Sequence, residues 1–152
     1  MKERIFSLAR IAVGAVFVVS GFMKLMEPYQ NFLAVIYSYK MVAGEPAKLL
    51  AILLPWVEFL GGVFLVAGLW TRAAVGALWA LNHLFLAAII SAVLRKLPIH
   101  ECGCFGNSSV SLPLGKVLVL DIGLWFVFAL LFFRSEDILF LSLDRRLKSL
   151  DK

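Results

Sequence analysis

The sequence predicts an all-α fold: an integral membrane four-helix bundle with an amphipathic C-terminal helix on the membrane surface. The first observation behind this prediction is composition. Of the 152 residues, 62% are hydrophobic and only 16% are charged, whereas a soluble domain is about 45–50% apolar and about 25% charged. A water-soluble globule of this length could not bury that much apolar surface, and the same composition excludes a disordered chain.

The second observation is that the apolar residues form four runs, each near the roughly 20 residues that a spanning helix needs. We place the spans at about residues 5–23, 49–69, 73–94 and 114–133. The first run starts with basic residues, as a secretory signal does, but no A-x-A-like cleavage site follows, so we expect a retained helix. Because only residues 70–72 separate spans two and three, these should form a tight antiparallel hairpin, with residues 1–133 making one bundle.

Two segments outside the spans should also be helical. The stretch from Gln30 to Tyr39 should form a short helix near the membrane–water boundary, where tyrosines concentrate. In the tail, residues 134–152, leucines recur at helical spacing between charges, which predicts an amphipathic helix on the cytoplasmic membrane surface. These leucines are Leu139, Leu143, Leu147 and Leu150.

The net charge of +5 would raise nucleic acid as a partner of a soluble protein. Here the basic residues lie largely at the ends of apolar runs, where they set topology and bind headgroups, so the bilayer is the predicted partner and nucleic acid is not. With the N-terminus inside, nine of the 15 lysines and arginines lie on the inner side and six outside. This predicts that both termini are cytoplasmic and that the loop of residues 95–113 lies outside, which is the periplasm if the host is a Gram-negative bacterium. Arg10 and Lys24 should extend from the ends of the first span to the headgroups.

The two cysteines of the chain, Cys102 and Cys104, lie in that outer loop. One glycine separates them, so a disulfide between them would close a small, strained ring, and strained, exposed disulfides are the labile ones. Arg95, Lys96 and His100 lie just upstream, and nearby cations favour the reactive thiolate. The pattern leaves open a thiol–disulfide exchange site and a static disulfide that pins the loop. A third interpretation is a metal site formed by His100 and both thiolates.

Polar residues near the middle of three spans form a second candidate site: Glu58 in the second span, Asn82 and His83 in the third, and Asp121 in the fourth. A charged group at that depth costs about 2.5–3.5 kcal/mol on insertion scales. We therefore expect these four side chains to point into the bundle and share hydrogen bonds, with one carboxyl protonated or paired with protonated His83. The cluster would serve as a proton relay, as a site for a polar headgroup such as a quinone ring, or as a clasp that fixes helix register.

Three motifs resemble a known family. The strings Ser20-Gly-Phe-Met-Lys-Leu25 and Leu54-Pro-Trp-Val-Glu58 resemble the DoxX-like membrane proteins, and Cys102-Gly-Cys-Phe-Gly106, before a span with Asp121 inside it, is similar to the MauE branch. The resemblance covers about residues 5–133. It implies a four-helix, redox-associated membrane protein that acts beside a thioredoxin-like partner to help form disulfides in a periplasmic enzyme subunit. It also implies that Cys102 and Cys104 are the redox pair.

The leading hypothesis is a redox-associated membrane protein that supports thiol–disulfide exchange or disulfide formation in an extracytoplasmic, thioredoxin-like or substrate partner. Cys102 or Cys104 would attack and the other would resolve, while the midplane cluster would handle protons or an electron acceptor. A quinone is the candidate cofactor, by fold-level analogy with other four-helix, disulfide-generating enzymes. The alternatives are a non-enzymatic membrane subunit or assembly factor with a structural disulfide, and a small transporter or metal handler.

Overall fold

The computed structural model describes residues 2–97 and 114–134. They form five α-helices: α1 (Lys2–Met26), α2 (Tyr29–Ser38), α3 (Glu45–Ala67), α4 (Thr71–Leu94) and α5 (Leu114–Phe133). All but α2 are long and apolar enough to cross a membrane. The predicted all-α, multi-pass fold is therefore confirmed, and so is the short helix after the first span. The cysteine loop and the predicted tail helix lie outside the described residues.

The hairpin of α3 and α4 has a clear start and turn. α3 begins at Glu45 rather than Leu49 because Pro46 stands in its first turn, where a missing backbone N–H costs nothing. It ends at Gly68, which adopts the left-handed conformation with φ 70°. The N–H of Leu69 then donates to the carbonyl of Phe64 at 3.0 Å, a common glycine-dependent helix end. This tight turn sends α4 back along α3.

α1 and α3 pack backbone to backbone, and glycines make this approach possible. A Cβ atom at Gly21 would lie 2.6 Å from the backbone N of Phe59, and one at Gly62 would lie 2.7 Å from the backbone N of Val18. Small residues permit such contacts between membrane helices. Because position 18 meets 62 and position 21 meets 59, the two helices run antiparallel, and the last turns of α1 face the middle of α3.

Two further contacts fix the positions of α4 and α5 along the bundle axis relative to α3 and α1. Gly61 of α3 lies against Leu78 of α4, whose Cδ2 would be 2.9 Å from a Cβ at that glycine. The rings of Phe17 on α1 and Phe128 on α5 meet edge to face, with centroids 5.5 Å apart. Leu78, Phe17 and Phe128 belong to the main apolar core. The register of all four spanning helices follows from these contacts.

A second apolar cluster lies where α2 ends, and it holds both ends of the loop that contains the cysteines. Tyr39 and Val117 are buried in this cluster, and Leu97 packs against it. The Arg95 guanidinium donates to the backbone carbonyls of Tyr39 at 3.4 Å and Lys40 at 3.3 Å. The chain on either side of residues 98–113 is therefore anchored at the end of α2.

Gly21→Ala tests the α1–α3 contact. The added methyl group would meet the α3 backbone, so we expect the free energy of unfolding to fall by about 1–3 kcal/mol, as for other overpacked positions. Gly123→Ala is the matched control, because a Cβ at Gly123 has open space around it. Unfolding in detergent, followed by helical circular dichroism, measures both variants. Equal stability of the two variants would contradict the contact.

Candidate functional site

A buried ion pair joins α1 to α3. The Lys24 ammonium Nζ lies 2.7 Å from Glu58 Oε1 and 2.8 Å from Oε2, and the Ser20 hydroxyl donates to Oε2 at 3.1 Å. The Lys24 and Glu58 side chains are only 1% and 2% exposed. The prediction that Lys24 extends to the headgroups is wrong, because a carboxylate lies within reach inside the bundle. The same prediction is wrong for Arg10, which is fully buried.

The local sequence explains how the pair forms. Ser20 and Lys24 are four residues apart on α1, so both point to one face of that helix. Gly21 lies on the same side and brings the α3 backbone into contact. Glu58, one residue before Phe59, therefore lies opposite Ser20 and Lys24. A long lysine side chain bends back along its own helix to meet it.

Two aromatic rings enclose the lysine ammonium on its remaining sides. Lys24 Nζ lies 4.9 Å from the ring centroid of Phe32 on α2 and 5.2 Å from that of Phe85 on α4. A cation over an aromatic face gains about 0.5–2 kcal/mol, with the larger values where water is excluded. One carboxylate, supported by the Ser20 hydroxyl, and two rings thus form an ammonium-binding site, and Lys24 occupies it.

Asn82 reaches the level of the ion pair from α4. Asn82 follows Leu78 by about one turn, and Glu58 precedes Gly61 by about one turn, so the antiparallel hairpin brings Asn82 to the level of Glu58. Asn82 is 2% exposed, and its Oδ1 has no hydrogen-bond partner among residues 2–97 and 114–134.

Asp121 reaches the same level from α5. It precedes Phe128 by seven residues, and Lys24 follows Phe17 by seven residues, so α1 and α5 carry these two charges on matching turns. Asp121 is 9% exposed and interacts electrostatically with both Lys24 and Glu58. Its Oδ2 has no hydrogen-bond partner in the described part of the chain. All four spanning helices therefore carry a buried polar side chain at this level, and we call Ser20, Lys24, Glu58, Asn82 and Asp121 the buried charged cluster.

His83 does not belong to this cluster. Trp125 Nε1 donates to His83 Nε2 at 2.8 Å, and His83 Nδ1 donates to the Trp79 carbonyl at 2.9 Å. Both ring nitrogens are thus used on the exposed face of α4 and α5. The prediction that His83 points inward and shares hydrogen bonds with Glu58, Asn82 and Asp121 is wrong, because successive helix residues point about 100° apart. With Asn82 facing inward, His83 faces outward.

The sequence prediction also missed Lys24 and Ser20 as members of the cluster. The usable signal was the lone carboxylate of Glu58 in a span, which demands a partner, and a lysine near the end of the preceding span. Among the described residues, no group of three His, Cys, Asp or Glu side chains is placed to hold a metal ion. The metal interpretation of His100 with Cys102 and Cys104 falls outside those residues.

These features define a class: a small membrane protein whose four spanning helices enclose one charged cluster. Residues 2–134 match the family described as "Methylamine utilisation protein MauE", so the chain belongs to the MauE family. It is 32% identical over 111 residues to the methylamine utilization protein MauE of Paracoccus denitrificans, which covers 73% of this chain and 59% of that protein. No solved structure matches the chain. The resemblance to MauE is confirmed, while the DoxX-like assignment stays a prediction.

Glu58→Gln tests the ion pair. The substitution leaves the Lys24 ammonium buried without a counter-charge, so we expect the free energy of unfolding to fall by about 3–5 kcal/mol. Adding Lys24→Met should recover much of this loss, because both positions of the former pair then carry neutral side chains. A double-mutant cycle of unfolding free energies measures the coupling, with exposed Lys40→Met as the control for loss of a lysine. Additive losses would contradict a direct ion pair.

Lys24→Ala tests the ammonium site itself. The variant leaves Glu58, Ser20 and two aromatic rings around the space that the lysine filled, so added ethylammonium should bind there and raise the thermal unfolding midpoint. Tetramethylammonium, which has the same charge but no N–H donor, should raise it less. The same salts added to Lys40→Ala are the control. Equal shifts in both variants would mean that no specific ammonium site exists.

Proposed function

We propose that this chain supports thiol–disulfide exchange or disulfide formation in an extracytoplasmic partner through Cys102 and Cys104. The observation that carries the proposal is the C-x-C pair in the polar loop before the last spanning helix. We further propose that the chain lies in the bacterial inner membrane with both termini in the cytoplasm and this loop outside. The name of the Paracoccus relative assigns that protein to methylamine utilisation, and we propose the same setting for this chain.

The way the loop is anchored supports an exchange site. Leu97 and Val117 pack into the cluster around Tyr39, and Arg95 binds the end of α2. Cys102 follows Leu97 by five residues, and an extended chain rises at most about 3.6 Å per residue. Cys102 is therefore held within about 18 Å of Leu97, and Cys104, seven residues after Leu97, within about 25 Å.

The proposed exchange conserves electrons and protons. A thiolate of the partner attacks one sulfur of the Cys102–Cys104 disulfide, a mixed disulfide forms, and the other cysteine leaves as a thiolate. The partner's second thiolate then attacks the mixed disulfide. The partner gains a disulfide, and Cys102 and Cys104 gain two electrons. A thioredoxin-like protein, with two reactive thiols close together, is the proposed partner.

The buried charged cluster supports a role in proton handling. Lys24 and Glu58 balance each other's charge in a contact that leaves neither free. Asp121 is the third ionisable group, and its Oδ2 has no hydrogen-bond partner in the described chain. Asp121 is thus the carboxyl that takes up or releases a proton without breaking the ion pair. We assign it this function within the exchange cycle.

A second candidate function is that of a non-enzymatic membrane subunit or assembly factor with a structural disulfide. The observation that favours it is the exposed face of α4 and α5, which carries the hydrogen-bonded pair of His83 and Trp125. Ionisable side chains within spanning helices almost always face protein rather than lipid. A helix of a partner subunit would cover this face.

Single cysteine variants decide between the two functions. In Cys104→Ser, the Cys102 thiolate attacks the disulfide of the oxidised partner, which is the reverse of the proposed exchange. No Cys104 thiol is present to resolve the mixed disulfide, so this adduct should accumulate in membranes of the native host. Cys102→Ser tests the reverse assignment, and the double variant is the control that forms no adduct. Acid quenching, thiol alkylation and non-reducing electrophoresis detect the adduct. If neither single variant forms one and the double variant still supports partner maturation, the subunit function replaces the exchange function.

A further inference from the structure

A cavity of about 180 Å³ lies between α2, α3 and α4, beside the buried charged cluster. Its walls are apolar or aromatic and include the side chains of Phe32, Tyr39, Leu54, Leu81, Phe85 and Ala88. Two of these, Phe32 and Phe85, are the rings that lie against the Lys24 ammonium. The cavity and the cluster therefore share a wall.

The size and position of this cavity suit one substituted six-membered ring. A protein cavity of about 150 Å³ with apolar walls stays dry and binds benzene, so 180 Å³ leaves room for ring substituents. Leu84 and Met41 also line the cavity and are 61% and 52% exposed, so its edge reaches the outside of the bundle. A ligand would enter there from the lipid phase with an apolar tail trailing behind it.

The cavity also lies beside the anchor of the cysteine loop. Tyr39 contributes to the cavity wall and to the apolar cluster that includes Leu97 and Val117. The proposed exchange reduces Cys102 and Cys104 in each cycle, so a two-electron acceptor has to reoxidise them. A membrane-soluble acceptor reaches this end of the bundle without crossing the packed core.

We propose that this cavity binds the ring of a lipid-soluble quinone, in contact with Phe32 of α2, Leu54 of α3, and Leu81, Phe85 and Ala88 of α4. The assignment rests on the proposed thiol–disulfide function, because it supplies that function's electron acceptor. A bound quinone would accept the two electrons and two protons released when the Cys102 and Cys104 thiols become a disulfide, and it would leave as a quinol.

Direct binding to the purified full-length protein tests the site. Decylubiquinone is the probe, and decanol, a ten-carbon chain without the ring, is the control ligand; calorimetry measures both affinities. Ala88→Phe fills the cavity with a phenyl group, so decylubiquinone should bind at least about tenfold more weakly. Ala87→Phe, which adds the same group to the exposed neighbour, should leave the affinity unchanged.

A second matched pair of variants, on α3, tests the site independently if Ala88→Phe does not fold. Leu54→Phe enlarges a cavity wall and should weaken decylubiquinone binding, whereas Leu53→Phe adds the same ring to a residue that is 55% exposed and should not. Unchanged affinity in both cavity variants would overturn the proposal. Equal affinity for decanol and decylubiquinone would also overturn the proposal, because the cavity would then be a binding site for lipid acyl chains.

The Cys102→Ser/Cys104→Ser variant separates this proposal from the exchange function. Calorimetry should give it the wild-type affinity for decylubiquinone, because the cavity walls contain no cysteine. If this variant binds the quinone and the single-cysteine variants form no mixed disulfide, the exchange function is wrong and the quinone site is supported. If mixed disulfides form and the quinone does not bind, the site fails and the exchange function stands.

Discussion

The contact between the Lys24 ammonium and the Glu58 carboxylate constrains the rest of the structure. Removing two charges from water costs several kcal/mol for each ion, and only close geometry with further hydrogen bonds repays that cost. The bundle supplies such geometry: both carboxylate oxygens lie within 2.8 Å of the ammonium, and Ser20 adds a hydrogen bond. Gly21 is required because any side chain there would push α3 and its glutamate away.

The pair also organises the helices that do not form it. The Phe32 ring lies against the ammonium, so the short helix α2 becomes part of the site although it does not span the membrane. The Phe85 ring brings α4 against the same ammonium. Asn82 and Asp121 then lie at the same level with acceptor atoms that no described residue satisfies. The proton-handling role proposed for Asp121 rests on this arrangement of a balanced ion pair beside a carboxyl oxygen without a hydrogen-bond partner in the described chain.

Apolar run lengths predict the four spans and the hairpin because a bilayer leaves few alternatives to helices. The cost of charge in lipid predicts that Glu58 and Asp121 face inward. The inward position of Lys24 cannot be predicted in this way, because cations near span ends usually extend to headgroups. Whether a carboxylate lies within reach depends on the register of α1 against α3, which backbone contacts at Gly21 and Gly62 set. The outward position of His83 follows from helix geometry once Asn82 is known to face inward. The sequence alone does not show which of these two residues faces inward.

The buried position of the Lys24 ammonium determines how all four spanning helices meet around Glu58. Solid-state NMR of the protein in lipid bilayers, with ¹⁵N at the lysine Nζ and ¹³C at the glutamate carboxyl, measures it directly. We expect a strong dipolar coupling between Lys24 and Glu58, matching the Nζ–Oε distances of 2.7 and 2.8 Å. Glu58→Gln should remove this carboxylate contact. A Lys24 signal coupled to lipid phosphate and not to Glu58 would contradict the buried ion pair.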